Sequence, residues 1–291
     1  MAESCRVGVL GASSLVGQCL LPRLVQEGWR VSAYSRKPGD DSAGGDSTGV
    51  EWRQLLAQIS AEPTPYWISL APIWLLSDYF PLLEASGVRR LVVLSSTSRF
   101  TKLNSDDVAE MAVAANLIDA EERLASWAKS RGISWVVLRP TLIYGLGRDK
   151  NVAEIAHFIR KFRFFPILGE ANGLRQPVHV DDVASACAAA LHLPVSANRA
   201  YNLSGAERLP YRELVRRIFI TLGQKPYVAT VPLWVFRLAV MLLRCLPRYR
   251  HWSVAMVERM SSDLVFDHTD AQRDLGFQPR PFQPRSEDLV P

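Results

Sequence analysis

The sequence predicts an α/β fold in which a doubly wound parallel sheet is joined to a smaller, mostly helical C-terminal lobe. The first supporting observation is an apolar strand, Arg6–Leu10, that leads into a glycine turn, Gly11–Gly17, and then into a helix. The second is that apolar strand-like segments alternate with helical segments as far as about residue 204, which is typical of parallel sheets covered by helices. Together these observations predict a sheet of the Rossmann type.

The glycine turn and the helix at residues 18–26 form the first element with a predicted function. Glycines let the backbone approach a pyrophosphate closely, and the N–H groups and dipole at a helix N-terminus favour negative charge. Ser14 is small, and its hydroxyl can donate to a phosphate. The alternative is a tight turn that binds nothing. We predict a dinucleotide site formed here by Gly11, Ser13, Ser14, Leu15, Val16 and Gly17.

The end of the second predicted strand, residues 29–34, indicates which nucleotide is preferred. An acidic residue at this place accepts from a ribose 2′-hydroxyl, whereas a 2′-phosphate needs a cation. The chain has Ser35, Arg36 and Lys37 here, so we predict NADP(H) in preference to NAD(H), with Arg36 and Lys37 as cofactor residues. The alternative is an exposed turn, because Asp40 and Asp41 follow closely.

The remaining elements continue the alternation. Strands are predicted at residues 50–52, 66–71, 90–95, 133–138 and 200–205, and helices at 75–85, 106–131, 151–162 and 183–191. The lobe is predicted to hold helices at 211–222, 233–246, 253–262 and 269–275, followed by a proline-rich tail, 277–291, that runs extended over the surface. We therefore assign residues 1–148, completed by about 176–204, to a dinucleotide-binding domain, and residues 149–175 and 205–291 to the lobe.

The strand ends supply further candidate residues, because the carboxyl ends of parallel strands face the ligand crevice. Leu70, Ala71 and Pro72 follow the fourth strand on the expected adenosine side. Hydroxyl side chains follow the fifth strand. We assign Ser95 to the cofactor and Thr97 to the substrate, and take Ser96 as a candidate catalytic residue; the alternative for Ser96 is a hydroxyl that caps the next segment.

Composition argues against several classes of protein. With 291 residues, 48% of them hydrophobic, the chain can bury a large core. The four cysteines contain no C-x-x-C and the five histidines no H-E-x-x-H, so we expect neither a disulfide framework nor a metal site. The basic residues behind the net charge of +5 are dispersed and form no nucleic-acid motif.

No secretory signal is evident either, so we expect a cytoplasmic protein. The apolar segment Leu233–Leu246 contains Arg237 and Arg244 and falls short of the ~20 residues that span a bilayer. We expect no transmembrane segment. This helix is predicted to pack on the protein or, alternatively, to lie on an anionic membrane surface.

Four motifs in order resemble those of extended short-chain dehydrogenases/reductases of the NAD-dependent epimerase/dehydratase type: Gly11–Gly17, Leu94–Ser98, Leu138–Gly145 and Pro177–Ala184. Ser14 stands where the family pattern G-x-x-G-x-x-G has its middle glycine. The resemblance implies an oxidoreductase or epimerase that binds NAD(P) and a small-molecule substrate, of which a nucleotide sugar is one candidate, and an oligomer is compatible with it. It also implies that Pro140 lies near the nicotinamide and that Arg175 neutralises a diphosphate; a surface arginine is the alternative.

The resemblance fails at the catalytic pair. Family members carry Tyr-x-x-x-Lys on the long helix, and the segment Asn116–Leu124 places these positions at Val113 and Leu117. Neither side chain can transfer a proton. We consider Tyr144, Ser96, Thr97 and Lys102 as replacements and prefer Tyr144, which follows the sixth strand and should face the crevice. The alternatives are a noncatalytic NADP(H)-binding scaffold or sensor that docks to a partner or membrane surface, or a pocket for another nucleotide.

Three nearby residues are expected to be structural. We predict Glu121 to be a solvated or capping carboxylate and His179 to be a structural histidine, and we expect Asp181 and Asp182 to cap the helix that follows.

Overall fold

The structure is a computed structural model that describes residues 5–36, 49–54, 63–103, 105, 107–194, 198–231 and 260–290. Its strands are β1 (Arg6–Leu10), β2 (Arg30–Ser35), β3 (Val50–Gln54), β4 (Tyr66–Ser69), β5 (Arg90–Leu94), β6 (Ser134–Pro140), β7 (Ile143–Tyr144), β8 (Phe165–Leu168), β9 (Leu174–Arg175), β10 (Val178–His179), β11 (Arg199–Leu203), β12 (Leu209–Pro210) and β13 (Val228–Val231).

Seven of these strands form one parallel sheet in the order β3-β2-β1-β4-β5-β6-β11. The predicted Rossmann-type sheet is therefore confirmed. The chain crosses from one side of β1 to the other between β3 and β4, and this reversal opens a crevice at the carboxyl ends of the strands. Three short pairs, β7 with β10, β9 with β12 and β8 with β13, lie outside the main sheet.

The α-helices are α1 (Leu15–Gln26), α2 (Phe80–Ala85), α3 (Ser98–Thr101), α4 (Val108–Arg131), α5 (Val152–Phe162), α6 (Val180–Leu191), α7 (Tyr211–Thr221), α8 (Thr269–Leu275) and α9 (Ser286–Leu289). A 3₁₀ helix, Ile73–Tyr79, precedes α2. None of the helices in the described ranges is long and apolar enough to cross a membrane. The predicted helix at 233–246, residues 253–259 of the predicted helix at 253–262, and Lys37 lie outside the described residues.

Side chains that alternate along the strands separate the core into two layers. Val92 and Val136 pack with α1 and α6 on one face of the sheet, in what we call the first core cluster. Leu91 and Val137 pack with α4 on the other face, in the second core cluster. A third core cluster joins α5 to α7.

The sequence predicted a tail that runs extended over the surface, and this prediction is wrong. Phe282 is 1% exposed and Leu289, in α9, is 3% exposed, and both pack in the third core cluster. Ala271, Leu275 and Phe277, which the sequence placed in the lobe, pack in the first core cluster on the sheet. The proline-rich segment is therefore anchored by apolar side chains in two different core clusters.

Candidate functional site

A cavity of about 920 Å³ lies at the carboxyl ends of the central strands. It extends from the start of α1, past the ends of β4, β5 and β6, to residues that follow β7 and β9. The lining residues include Ser14, Leu15, Val16, Leu70, Ala71, Pro72, Trp74, Ser95, Ser96, Thr97, Lys102, Leu117, Pro140, Ile143, Arg148, Asp149, Lys150, Asn151, Arg175, Gln176, Tyr211, Met260, Leu264 and Phe266.

The glycine turn is built so that backbone and small side chains meet the cavity. Gly11 has a φ of +71°, in the left-handed region that favours glycine. A Cβ at Gly17 would lie 2.0 Å from the Ala12 carbonyl oxygen, so a side chain does not fit there. Ser14 is the N-cap of α1, and its Oγ accepts from the Gly17 N–H at 3.2 Å. That bond uses a lone pair and leaves the Ser14 hydroxyl proton able to donate to an anion.

Most of the predicted cofactor residues are brought together. Ser14, Leu15, Val16, Leu70, Ala71, Pro72, Ser95 and Pro140 all line the cavity. Gly11 packs closely against the backbone of Ala71. A Cβ added at Gly11 would lie 2.7 Å from the Ala71 nitrogen. The Ser35 hydroxyl donates to Ser13 Oγ at 3.3 Å, which links the end of β2 to the glycine turn. Arg36 follows β2 directly and is exposed.

Glu121 is a buried ion-pair partner, so the expectation of a solvated or capping carboxylate is wrong. It is 7% exposed on α4. Arg99 donates to Glu121 Oε2 at 2.6 Å, and the Arg139 guanidinium reaches both carboxylate oxygens. The Ser95 hydroxyl donates to Oε1 at 2.6 Å. These bonds fix the end of β5 and the start of α3 to α4 beneath the cavity.

The hydroxyls after β5 differ in how they are engaged. The Thr97 hydroxyl donates to the Pro140 carbonyl at 3.2 Å, and Thr97 is 5% exposed. Ser96 Oγ accepts from the Ser98 N–H at 3.1 Å while the half-buried side chain lines the cavity. A hydroxyl that accepts one bond still has its proton. Ser96 therefore presents a hydroxyl at the cavity wall, whereas the Thr97 proton is directed into the backbone.

The cavity wall is apolar where the resemblance places the lysine. Leu117 is 3% exposed, belongs to the second core cluster and lines the cavity. Val113, one turn earlier on α4, packs against the same cluster. Lys102 also lines the cavity, with its Nζ 3.9 Å from Glu110 Oε1.

The expectation that Tyr144 faces the crevice is wrong. Its side chain is 1% exposed and packs in the third core cluster, with ring centroids 5.1 Å from His179 and 4.9 Å from Phe282. Neighbouring residues of a strand point to opposite faces, and in β7 it is Ile143 that lines the cavity. Burial raises the pKa of Tyr144 well above its ordinary value of 10.0. These features argue against a phenolate here that takes part in proton transfer.

The far side of the cavity carries cations. Arg175 lines it and is 4% exposed, with one guanidinium nitrogen donating to the carbonyls of Leu174 and Ser262 at 2.8 Å. Arg148 and Lys150 are exposed at its edge. The Asp149 carboxylate between them accepts from the N–H groups of Asn151, Val152 and Ala153, so its charge serves the start of α5. Burial raises the Asp149 pKa despite these bonds.

Sequence reasoning missed the segment Arg148–Asn151 and Tyr211. The segment follows β7 at a strand end, which was the available signal, whereas Tyr211 reaches the cavity only through the folding of the lobe. Met260, Leu264 and Phe266 supply apolar wall beside it.

His179, Asp181 and Asp182 place potential ligand atoms within 4.8 Å of one another. Their partners are already protein groups. The N-cap of α6 is His179 itself, whose Nδ1 accepts from the Asp181 N–H, so the expected capping by Asp181 and Asp182 is wrong. Arg280 pairs with both carboxylates and Arg23 with Asp181. The group is a salt-bridge network, in agreement with a structural role for His179.

A parallel sheet with a glycine turn, a helix N-terminus at a cavity and hydroxyls on the next strands defines the class of dinucleotide-binding α/β proteins. The model of the NAD dependent epimerase/dehydratase family matches residues 80–204. Over this segment, which is less than half of the chain, the sequence is similar to that family.

Individual relatives and structures are distant. UDP-glucose 4-epimerase of Vibrio cholerae is 24% identical over an alignment of 203 residues, which covers 67% of this chain but only 60% of that enzyme. The 2-alkyl-3-oxoalkanoate reductase of Stenotrophomonas maltophilia is 24% identical over 316 aligned positions, covering 94% of this chain and 95% of the reductase. The structure of an epimerase from Methanothermobacter thermautotrophicus superimposes with a TM-score of 0.75 at 16% identity, covering 99% of this chain and 91% of that one.

Proposed function

We propose that this protein binds NADP(H) in the cavity and acts as an oxidoreductase on an anionic carbonyl or alcohol substrate, without the family's Tyr-x-x-x-Lys pair. The observation that carries the proposal is the continuity of the cavity, which joins the N-terminus of α1 to Ser96 and Pro140 and then to the cations beyond. A dinucleotide would bind along the N-terminus of α1 and beside Pro140, and a charged substrate would bind at the cations. Residues 149–175 and 205–291 form the substrate-side lobe in this proposal.

The fit to a dinucleotide rests on the glycine turn. The absence of space for a Cβ at Gly17 and the capped start of α1 bring backbone N–H groups to the cavity, where a pyrophosphate would be held. Ser13, Ser14, Leu15 and Val16 are the proposed contacts there. Leu70, Ala71 and Pro72 would contact the adenosine side, and Ser95 and Pro140 the nicotinamide side. The chemistry that NADP(H) supplies when bound is hydride transfer.

The preference for NADP(H) rests on the cation that follows β2. Arg36 is exposed there, and no acidic residue occurs among Ser35, Arg36 and Lys37. A guanidinium satisfies a 2′-phosphate, whereas a ribose 2′-hydroxyl needs a carboxylate. A solved structure of similar fold, 21% identical, is that of MoeE5 in complex with UDP-glucose and NAD. In this proposal the choice between NADP(H) and NAD(H) depends on the residues that follow β2 in this chain.

Proton transfer is assigned to Ser96 in this proposal. Its hydroxyl lines the cavity beside Pro140, and its oxygen already accepts from the Ser98 N–H, which stabilises negative charge on that oxygen. The buried Tyr144 is not assigned this role. Because a serine is a weaker acid than the family's tyrosine, turnover slower than that of family members with the pair is expected.

The proposed substrate carries a negative charge. Lys102, Arg148, Lys150 and Arg175 line the cavity, and the Asp149 carboxylate is occupied by backbone N–H groups. Two relatives are named after compounds that carry such a charge. UDP-glucose has a diphosphate, and an oxoalkanoate has a carboxylate. Thr97 and Arg175 are the proposed substrate residues.

One observation favours a second candidate, a noncatalytic NADP(H)-binding scaffold. Leu117 fills the lysine position with a core side chain that contacts the cavity. The two candidates are separated by mixing the protein with NADPH and a panel of anionic ketones and following absorbance at the nicotinamide band. Oxidation that is lost in Ser96→Ala supports the enzyme. Binding of NADPH without oxidation of any ketone supports the scaffold.

The cofactor preference is tested by calorimetry of NADPH and NADH with wild type, Arg36→Ala and Arg30→Ala. Arg30 is an exposed arginine at the other end of β2 and is the matched control. Because a hydrogen bond to a charged group contributes about 1.5–3 kcal/mol, Arg36→Ala should weaken NADPH binding by at least about 10-fold and leave NADH unchanged. Equal affinity of the wild type for the two cofactors would contradict the preference, and no heat with either would contradict the site.

A further inference from the structure

A second surface, away from the cavity, combines exposed aromatic rings with exposed cations. We call it the basic aromatic edge and define it by residues 158–164, at the end of α5, and residues 220–227, which begin in the last turn of α7 and continue beyond it. The parallel pairing of β8 with β13 holds the two segments together, with Phe165 opposite Val228. The Phe165 N–H donates to the Tyr227 carbonyl at 3.0 Å. Both segments therefore end at the same border of the molecule.

Three large apolar side chains of this edge are exposed. Phe162 is 47% exposed, Ile220 53% and Tyr227 66%. The core-facing residues of α5 are instead Ile155 and Ile159, which are buried in the third core cluster. Exposed apolar side chains that are grouped on one part of a surface indicate a site of interaction.

The rings form one continuous surface. The Phe158 ring lies 4.6 Å from that of Phe162, 5.7 Å from that of Phe164 and 5.5 Å from that of Phe165, between centroids. The last two contacts are edge to face, at 82° and 81°. Rings that pack on each other in this way do not present the separate flat faces on which nucleic-acid bases stack.

The charged part of the edge is entirely positive. Arg160, Lys161, Arg163 and Lys225 are exposed, and no Asp or Glu occurs in residues 157–165 or 220–228. Within the part of the chain that the structure describes, none of these four forms an ion pair with a carboxylate within 4.0 Å. Some exposed arginines elsewhere do have carboxylate partners, such as Arg123 with Asp119 and Arg273 with Asp274.

The C-terminus of α5 accounts for part of this charge, because cations near a helix C-terminus offset the dipole. It does not account for Lys225, which lies beyond α7, or for the exposed rings beside the cations. Lys161 Nζ lies 5.1 Å from the centre of the Phe162 ring, so cation and ring share one place on the surface.

We propose that the basic aromatic edge docks onto the surface of a bilayer that contains anionic phospholipids. The four cations contact headgroup phosphates, while Phe162, Ile220 and Tyr227 enter the boundary between headgroups and acyl chains. Arg and Lys suit this place because their stems lie along apolar surface while their charged ends stay in the polar layer. The proposal rests only on described residues and is independent of the segment Leu233–Leu246.

Docking through this edge is compatible with an open cavity. The helix α5 begins beside Asn151, which lines the cavity, and ends at Phe162 on the edge. At 1.5 Å per residue the two positions are about 16 Å apart along the helix. Variants of the edge should therefore leave NADPH binding unchanged.

The test is co-sedimentation of the full chain with phosphatidylcholine vesicles, with and without phosphatidylglycerol. Wild type should bind only the anionic vesicles. The variant Arg160→Glu/Lys161→Glu/Arg163→Glu should bind at least about 100-fold more weakly, since each cation near the membrane contributes about 5-fold. The matched control is Arg30→Glu/Arg89→Glu/Lys129→Glu, which makes the same change in net charge at exposed positions on other elements and should bind like wild type.

A second variant, Phe162→Ser/Tyr227→Ser, keeps every charge and should also bind more weakly than wild type. Circular-dichroism melting of each variant separates loss of binding from loss of fold. The proposal is overturned if wild type does not bind anionic vesicles, if the control loses as much binding as the edge variant, or if the serine variant binds like wild type. It is equally overturned if the edge binds single-stranded RNA more tightly than vesicles, or if it instead mediates dimerisation in sedimentation equilibrium.

Discussion

Among single residues, Glu121 illustrates how a charged side chain becomes structural. Two arginines from different segments, Arg99 and Arg139, converge on its carboxylate, and Ser95 donates to it as well. Both guanidinium groups also lie over the Phe100 ring, at 5.2 and 5.3 Å from its centre. A carboxylate that is 7% exposed needs such compensation, because an unpaired buried charge costs several kcal/mol.

We expect Glu121→Ala to lower the free energy of unfolding by about 3 kcal/mol, because it leaves two largely buried guanidinium groups without their carboxylate. Urea unfolding measures this change. The control is Asp119→Ala on the same helix, which removes an exposed partner of Arg123 and should cost less than about 1 kcal/mol. Equal effects of the two substitutions would show that the Glu121 cluster does not stabilise the fold.

At the scale of elements, α9 holds the loop between β7 and α5. The Asp288 carboxylate accepts from His179 Nε2 at 3.0 Å and from the Arg285 N–H at 2.8 Å, and the Leu146 N–H also donates to it. The Gly147 N–H donates to the Asp288 carbonyl at 3.1 Å. This loop continues into Arg148, so the end of the chain positions one border of the cavity.

The pH dependence of this clamp follows from Asp288. Burial raises its pKa, but the hydrogen bonds from His179 and backbone N–H groups lower it by more, so the net pKa lies below the ordinary 3.8. A carboxyl with a lowered pKa stabilises the fold above its unfolded pKa, and this stabilisation is lost as the pH falls through its folded pKa. We expect Asp288→Asn to cost about 2 kcal/mol near pH 7, and the difference from wild type to shrink below about pH 4.

Urea unfolding at a series of pH values measures this difference, and hydrogen exchange at Leu146 and Gly147 should be faster in Asp288→Asn. The matched control is Glu287→Gln, one residue earlier, whose side chain is 70% exposed and pairs only with Arg285 among the described ion pairs. A gap between Asp288→Asn and wild type that stays constant down to pH 3 would contradict the role of the carboxylate.

The seven strands of the main sheet and their parallel arrangement were predictable from sequence, because apolar strand-like segments that alternate with helices leave few arrangements. Most of the predicted cofactor residues line the cavity, since they lie at strand ends. The orientation of Tyr144 was not predictable, because the sequence does not say which of two neighbouring residues in a two-residue strand faces the cavity. The burial of Glu121 was not predictable, because its partners are distant in sequence. A glutamate that becomes paired in the fold cannot be distinguished by sequence from one that stays in solvent.

Across the whole molecule, the C-terminal segment connects two packing regions. Phe277 packs in the first core cluster with the sheet, whereas Phe282 and Leu289 pack in the third core cluster with α5 and α7. Arg280, between them, pairs with Asp181 and Asp182 at the start of α6. Sequence alone could not predict this, because a proline-rich segment without helical or strand periodicity gives no local sign of burial.

Deletion of residues 277–291 should therefore prevent stable folding. Burying Phe277, Phe282 and Leu289 contributes about 1.5–3 kcal/mol each, a total comparable with the whole net stability of about 5–15 kcal/mol. We expect the truncated chain to aggregate or to unfold at much lower urea concentration than wild type. The control is Arg285→Ala/Glu287→Ala, which removes an exposed pair from the same segment and should shift stability by less than about 1 kcal/mol. A truncated chain with a wild-type urea midpoint would mean that the two packing regions hold together without this segment.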